Sequence, residues 1–258
     1  MMGDLTGKIA VITGAARGIG QGIAERMSAS GAVVVVTDID IVAATKCAAA
    51  LPGSAIAIKH DVRDGASSIT LATQVIEKYG QVDILVNNAG VGPKPGPVQH
   101  TTEEEYDRVM DVNAKGVFLT TKAFVQEMIN RKRGCILNIS SIVGQSGFGM
   151  VLPYVASKFA VTGMTQSLAH ELAPYGITVN SIHPGIIRTD LHSAVVKQFA
   201  ALQGQTEDET WNWFKGRIPL ARFQTPADIG EMAVFLASDG AKNITGAAFN
   251  VDGGWEMH

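Results

Sequence analysis

The 258 residues are 46% hydrophobic and 17% charged with a net charge of −3, which suffices for a large core in one domain over 1–258. No basic run exceeds Arg131-Lys132-Arg133, so the chain carries no electrostatic footprint for nucleic acid or anionic membrane, and small-molecule partners are favoured. Apolar runs fall far short of the ~18 residues of a membrane span, Met-Met-Gly-Asp-Leu-Thr lacks an export pattern, and the scattered histidines and cysteines lack zinc spacing, so the expectation is a cytoplasmic protein without metal, with Cys47 and Cys135 as buried free thiols.

Lys8 to Thr13 is a short apolar run that stops at Gly14-Ala15-Ala16-Arg17-Gly18-Ile19-Gly20. Ile23, Ala24 and Met27 then recur at helical spacing to about Ser30. A strand, a glycine turn and a helix in that order form a candidate dinucleotide site. Glycines let the backbone approach a pyrophosphate, and the helix N-terminus offers unpaired N–H groups and a positive dipole. The next strand, Ala32 to Thr37, ends at Asp38, where such a fold puts the residue that meets the adenosine ribose. A carboxylate there accepts from ribose hydroxyls and repels a 2′-phosphate. Its plain alternative is a strand-end turn or a cap for the helix starting near Val42, a part Asp40 fills equally well.

A third strand, Ala55 to Lys59, leads to Asp61-Val62 and a helix from about Ala66 to Tyr79. A fourth, Asp83 to Val86, is closed by Asn87-Asn88-Ala89-Gly90. Successive β-α units predict an α/β, doubly wound parallel sheet with helices on both faces and ligands at the strands' carboxyl ends. Gly14, Asp38, Asp61 and Asn87 then share one edge. The breaker-rich loop from Val91 to Pro97 borders a substrate cleft at that edge, and Thr102 caps the helix that follows. Asn113 lies on that helix's apolar stripe with Tyr106, Val109 and Met110, where it needs partners; local hydrogen bonding or a kink is the plain alternative.

Cys135 to Ile139 forms a fifth strand that delivers Ser140-Ser141, and a helix through Tyr154 runs to about Tyr175. Tyr154 and Lys158, four apart, point from one helix face. A nearby ammonium favours the phenolate, and half-ionisation at pH 7 needs a shift of about 3 units, roughly 4 kcal/mol. The pair is a candidate acid/base device, although Tyr-x-x-x-Lys alone equally describes a solvated helix face. Ile177 to Ile182 is a sixth strand, followed by His183-Pro184-Gly185-Ile186-Ile187-Arg188-Thr189. From about 190 to 217 the pattern suggests a mobile helical lid carrying Trp211, Trp213 and Phe214. Thr225-Pro226-Ala227-Asp228 opens a helix to Leu236, and Ala247 to Val251 is the last strand.

Taken together, Thr13-Gly14-x-x-x-Gly18-x-Gly20, Asp61-Val62, Asn87-Asn88-Ala89-Gly90, Asn113, Ser141, Tyr154-x-x-x-Lys158 and Pro184-Gly185-x-x-x-Thr189 resemble the short-chain dehydrogenase/reductase family, from Leu5 to Gly254. The resemblance implies a Rossmann-like domain with seven parallel strands, a NAD(P) cofactor and a homotetramer. It makes Tyr154 the acid/base, Lys158 the group that lowers its pKa and holds the nicotinamide ribose, Ser141 the partner of the reacting oxygen, and Asn113 the holder of a water leading to Lys158. It assigns Gly14, Gly18 and Gly20 to the pyrophosphate, Asn87, Ala89 and Gly90 to the adenosine ribose, and Ile187 and Thr189 to the carboxamide. Ile19, Asp61, Val62, Pro184 and Gly185 join the cofactor contacts. Arg17 resembles the NADP-type pattern and Asp38 the NAD-type; a carboxylate where a phosphate must sit costs binding directly, so NAD is expected.

The stretch from Tyr154 to Thr189 resembles bacterial members acting on vicinal diols, acetoin or sugar alcohols such as sorbitol and galactitol. A small alcohol or ketone is therefore the expected substrate, with Gln145, Ser146, His183 and His192 as polar pocket candidates. The alternatives are a 3-oxoacyl thioester reductase of the same fold and a non-catalytic NAD-binding regulator.

Overall fold

A computed structural model describes residues 3–257. The apolar runs form β1 (Ile9–Thr13), β2 (Val33–Asp38), β3 (Ala55–Lys59), β4 (Ile84–Asn87), β5 (Gly134–Ile139), β6 (Ile177–Pro184) and β7 (Ala248–Val251). Between them run α1 (Gly18–Ala29), α2 (Ile41–Ala50), α3 (Gly65–Tyr79), α4 (Glu103–Met110), α5 (Gly116–Arg131), α6 (Leu152–Leu172), α7 (Asp190–Gln203), α8 (Glu207–Lys215) and α9 (Pro226–Ala237). The strands make one seven-stranded sheet in the order β3-β2-β1-β4-β5-β6-β7. Every pairing is parallel, so this is the doubly wound, Rossmann-like sheet that the β-α alternation predicts.

Near-continuous apolar strands are what a sheet covered on both faces requires. One face packs Ile12, Val36 and Leu137 against Ile23 and Met27 of α1 and Ile229 and Val234 of α9. The other packs Val11, Leu85 and Ile136 against Leu71 and Val75 of α3, Phe124 and Met128 of α5, and Leu172 of α6. Side-chain caps start several helices where the sequence offers an oxygen: Asp40 accepts from Ala43, Asp64 from Ala66 and Thr102 from Glu105, while Thr225 and Asp228 form a reciprocal capping box. Asp40 rather than Asp38 therefore caps α2. Cys47 and Cys135 are buried free thiols. Among the described residues no helix is long and apolar enough to cross a membrane, and no cluster of His, Cys, Asp and Glu could hold a metal.

Strand order reverses between β1 and β4, which leave the sheet with their connections on opposite faces. A crevice opens there beyond the carboxyl ends, the place where ligands settle on open α/β sheets. The stretch from 190 to 217 is helical as expected: α7 and α8, joined at Gly204 with φ +65°, roof this edge.

Candidate active site

A cleft of about 1320 Å³ runs along the carboxyl edge, bordered at one end by Gly14, Asp38 and Asp61 and reaching Ser141, Tyr154 and Lys158. The glycine turn supplies its floor. Gly14 has φ +61°, and a Cβ there would lie 2.7 Å from the Ala89 backbone, so only glycine fits where the β1 and β4 turns touch. Arg17, at the N-cap of α1, makes no side-chain capping bond and is exposed. The first N–H groups of α1, beside Gly18, Ile19 and Gly20 in the cleft wall, are thus left to an external acceptor. Such a cradle suits a pyrophosphate.

Asp38 is 8% exposed. One carboxylate oxygen accepts from Ala16 N at 3.2 Å and the other from Asp40 N at 3.1 Å. Its turn role and its place in the cleft wall coexist, because a carboxylate has about four acceptor positions. Asp61 also borders the cleft with Val62, but Arg63 grips its carboxylate, with Nη2 to Oδ2 at 2.6 Å, and this hydrogen bond holds the acid below its ordinary range.

One sequence-derived assignment needs correction. Asn87 does not reach the cleft: it is buried and its Nδ2 donates to Thr121 Oγ1 and Asn138 Oδ1. The asparagine in the wall is Asn88, whose Nδ2 donates to the carbonyls of Thr13 and Gly14, alongside Ala89 and Gly90. Thr13 completes this clasp, its hydroxyl accepting from the N–H groups of Asn88 and Ala89 at 3.0 Å each. Asn113, on the buried stripe where it needs partners, is 1% exposed behind the cleft wall, its side chain bonded to both backbone groups of Val91 and donating to Ser157 Oγ at 3.2 Å. It sits in a π-helical turn, Asp111–Lys115, so the kink and the buried bonding weighed as alternatives are both present. A Cβ added to Gly90 would lie 3.4 Å from Asn113 Oδ1 and 3.9 Å from Lys158 Nζ, so the two side chains flank one point.

At the reacting end, α6 presents Tyr154 and Lys158 from one face, with Lys158 Nζ 5.6 Å from the Tyr154 ring centroid and donating to Ile139 O at 2.8 Å. Ser141 follows β5 and hydrogen-bonds Tyr154. The expected lowering of the phenol pKa is absent from this state. Burial pushes Tyr154 up to about 12, opposed by the Ser141 bond, and burial pulls the Lys158 ammonium down to about 8. Desolvation outweighs one ammonium that also spends a hydrogen bond on Ile139. Pro184, Gly185, Ile187 and Thr189 line the opposite wall, and Thr189 caps α7.

The end of the cleft beneath α7 and α8 is more aromatic than the sequence suggested. Phe148, Phe199, Phe214 and Trp255 line it. Of the four polar candidates only Ser146 and His192 do. Ser146 donates to Glu256 Oε1 at 2.6 Å, and His192 packs on Trp211 and Phe214 with its pKa pushed down to about 4 by burial. Gln145 is not in the wall, and His183 is fully buried behind Ser141. Phe148, Trp255 and Glu256 escaped the sequence reading, since none carries a local motif.

The profile of a family described as "Enoyl-(Acyl carrier protein) reductase" matches residues 14–256. Galactitol 2-dehydrogenase of Agrobacterium fabrum is 43% identical over 251 residues, covering 97% of this chain and 98% of that protein. Sorbitol dehydrogenase of Cereibacter sphaeroides is 37% identical over 251 residues, with the same coverage of 97% and 98%. Among solved structures, 3-ketoacyl-(acyl-carrier-protein) reductase from Brucella melitensis, complexed with NADH, superposes with a TM-score of 0.89 at 35% identity, covering 98% of this chain and 100% of that one.

Proposed function

This chain belongs to the short-chain dehydrogenase/reductase family of oxidoreductases, and from that premise we propose that it interconverts a small secondary alcohol, a polyol or vicinal diol, and its ketone with NAD. The observation that carries the reading is the meeting of Ser141, Tyr154 and Lys158 in one cleft with a glycine cradle and a ribose-side carboxylate. When bound, NAD supplies the hydride acceptor and a positive charge. Gly14, Gly18, Ile19 and Gly20 would hold its pyrophosphate, Asp38 its adenosine ribose, and Lys158 its nicotinamide ribose.

Tyr154 is the proton carrier. With its pKa at about 12 the phenol is protonated at neutral pH and ready to donate to a ketone oxygen held by the Ser141 hydroxyl. Alcohol oxidation needs the phenolate instead. Bringing a pKa of about 12 to pH 7 costs roughly 7 kcal/mol. Lys158, set against the ring, contributes part of this when it is charged, and the cofactor's cationic ring adds to it. Asn113 anchors Val91 and Ser157 beside Lys158 and so supports the route by which protons reach solvent.

The 43% identity to galactitol 2-dehydrogenase supports a polyol, and the aromatic wall offers faces for its C–H skeleton with Ser146, His192 and Glu256 to meet hydroxyls. The likeness to a 3-ketoacyl-(acyl-carrier-protein) reductase favours a second reading, a 3-oxoacyl thioester as substrate. Asp38 and the scarcity of basic clusters weigh against it. We assign α7 and α8 as the substrate lid of a single catalytic domain. A homotetramer is supported by α6, whose small residues Ala156, Ala160 and Gly163 let another helix approach, and where a Cβ added to Gly163 would meet nothing within 4 Å. A spectrophotometric panel of polyols, diols and 3-oxoacyl thioesters with NAD(H) and NADP(H) tests the reading; turnover of thioesters alone would overturn it.

A further inference from the structure

His183 stands out because it is completely buried, 0% exposed, yet makes polar bonds on both sides of its ring. Nδ1 lies 2.7 Å from the Ser141 carbonyl oxygen, and Nε2 lies 2.8 Å from Ser181 Oγ. His183 is one of several ties on Ser141, whose hydroxyl also accepts from Val143 N at 3.3 Å. Regular pairing between β5 and β6 ends at Ile139 and Ile182, and the Ser140 N–H bond to Ile182 O at 2.8 Å is the last rung. Beyond it the Ser141 backbone leaves the sheet in an extended conformation, φ −169°. Its carbonyl accepts from Gly144 N at 2.8 Å within the following tight turn, which ties it forward along the chain but not to the sheet. His183, from the neighbouring strand, is the sideways tie.

The tautomer follows from the partners. A carbonyl oxygen only accepts, so Nδ1 carries the proton. Burial, reinforced by the Lys158 charge nearby, holds the ring neutral at ordinary pH, with its pKa pushed down to about 4. Nε2 is then bare and accepts from the Ser181 hydroxyl, which lies on the same strand face two residues earlier. The chain of donors runs one way, from Ser181 O–H to Nε2 and from Nδ1–H to Ser141 O.

We propose that His183 is a positioning residue for the reaction: by donating from Nδ1 to the Ser141 carbonyl it fixes the rotation of the Ser141 backbone and so aims the Ser141 hydroxyl at Tyr154. It touches neither substrate nor cofactor, and it is not in the cleft wall. The kinetic part rests on the oxidoreductase reading above; the tautomer does not.

Three substitutions separate positioning from packing. Asn at 183 places its amide nitrogen near the position of Nδ1 and keeps a donor for Ser141. Gln reaches toward the position of Nε2, keeping the Ser181 side and losing Ser141. Leu loses both. Expected are a kcat loss of about tenfold to a hundredfold in His183→Gln and His183→Leu, recovery of most of that loss in His183→Asn, and unchanged KM and NADH affinity in all three. Thermal midpoints of the Gln and Asn variants should match each other, which makes their kinetic difference independent of folding. In wild-type protein, ¹⁵N-resolved imidazole spectra should show His183 as the Nδ1–H tautomer, a readout that needs no turnover. A Nε2–H tautomer, or a Gln variant as active as the Asn variant, would overturn the proposal. Absence of dehydrogenase activity in wild-type protein alongside the Nδ1–H tautomer would instead sink the functional reading.

Discussion

Replacing Asp38 by Ser together with Ile39 by Arg should turn the preference from NAD towards NADP. Asp38 lies at the end of β2 in the cleft wall and is 8% exposed, so a 2′-phosphate meets its charge in a partly desolvated groove. A unit charge about 5 Å away at an effective dielectric of ~20 is opposed by about 3 kcal/mol. Screening at physiological salt roughly halves this, and the second phosphate charge roughly restores it. About 3 kcal/mol corresponds to discrimination of roughly a hundredfold. Ile39, 52% exposed and also in the wall, has room for a guanidinium, and Arg17 is already in place. The substitution also removes the carboxylate bonds to Ala16 N and Asp40 N, so a stability loss of about 1–2 kcal/mol should accompany it. Fluorescence titrations of NADH and NADPH at constant salt, with thermal melts of both proteins, measure the two effects separately. Equal wild-type affinity for the two coenzymes, or an unchanged ratio in the variant, would show that Asp38 is a turn residue and no more.

Tyr154→Phe should abolish turnover while leaving NADH affinity nearly unchanged, since it deletes the proton carrier and little cofactor contact; wild-type-like turnover would refute the mechanism. Lys158→Ala should damage both, which stopped-flow and binding titrations resolve. Acid should destabilise the fold between about pH 6.5 and 4. His60 and His183 are buried with pKa values pushed down to about 4, so across that window the unfolded chain binds the protons that the native chain refuses. Stability is then full above the unfolded value and is lost as pH falls, by up to about 3 kcal/mol for each ring. His192, its pKa likewise pushed down to about 4 by burial, adds to the loss in the same window. Urea midpoints that stay flat across this window would refute the assignment. Gly163→Arg, placed where a Cβ meets open space, should leave the protomer folded but reduce the assembly in sedimentation; a wild-type monomer at micromolar concentration would reject the tetramer outright.

How much of this was legible in the sequence depends on how local the determinant is. The inner strands appeared within a residue or two because burial on both faces leaves a contiguous apolar run, while the edge strand β3, only partly buried, was found at its expected limits. Tyr154 and Lys158 were legible because four residues on a helix is a fixed geometry. Asn87 and Asn88 were not distinguishable: alternation puts them on opposite faces, but which face meets the cleft is decided by Thr121 and Asn138, 34 and 51 residues away. The upward push of burial on the Tyr154 phenol was hidden for the same reason. The lysine's influence is local and was counted, whereas desolvation depends on the closure of the entire cleft.

This contrast also explains why the cofactor end could be read further than the substrate end. A pyrophosphate is held by backbone N–H groups, so its site is written as spacing constraints on a few adjacent residues, glycines above all. The proposed substrate wall is built of side chains from three separate segments: Ser146 and Phe148 after β5, His192 and Phe199 on α7 with Phe214 on α8, and Trp255 and Glu256 near the end of the chain. Their meeting is made by tertiary bonds such as Ser146 to Glu256, 110 residues apart, and Glu256 N to Asp252 Oδ2. No spacing rule links them. A fold of this kind can therefore exchange its substrate while leaving the readable motifs intact, and substrate identity must be sought in the aromatic wall rather than in the catalytic residues.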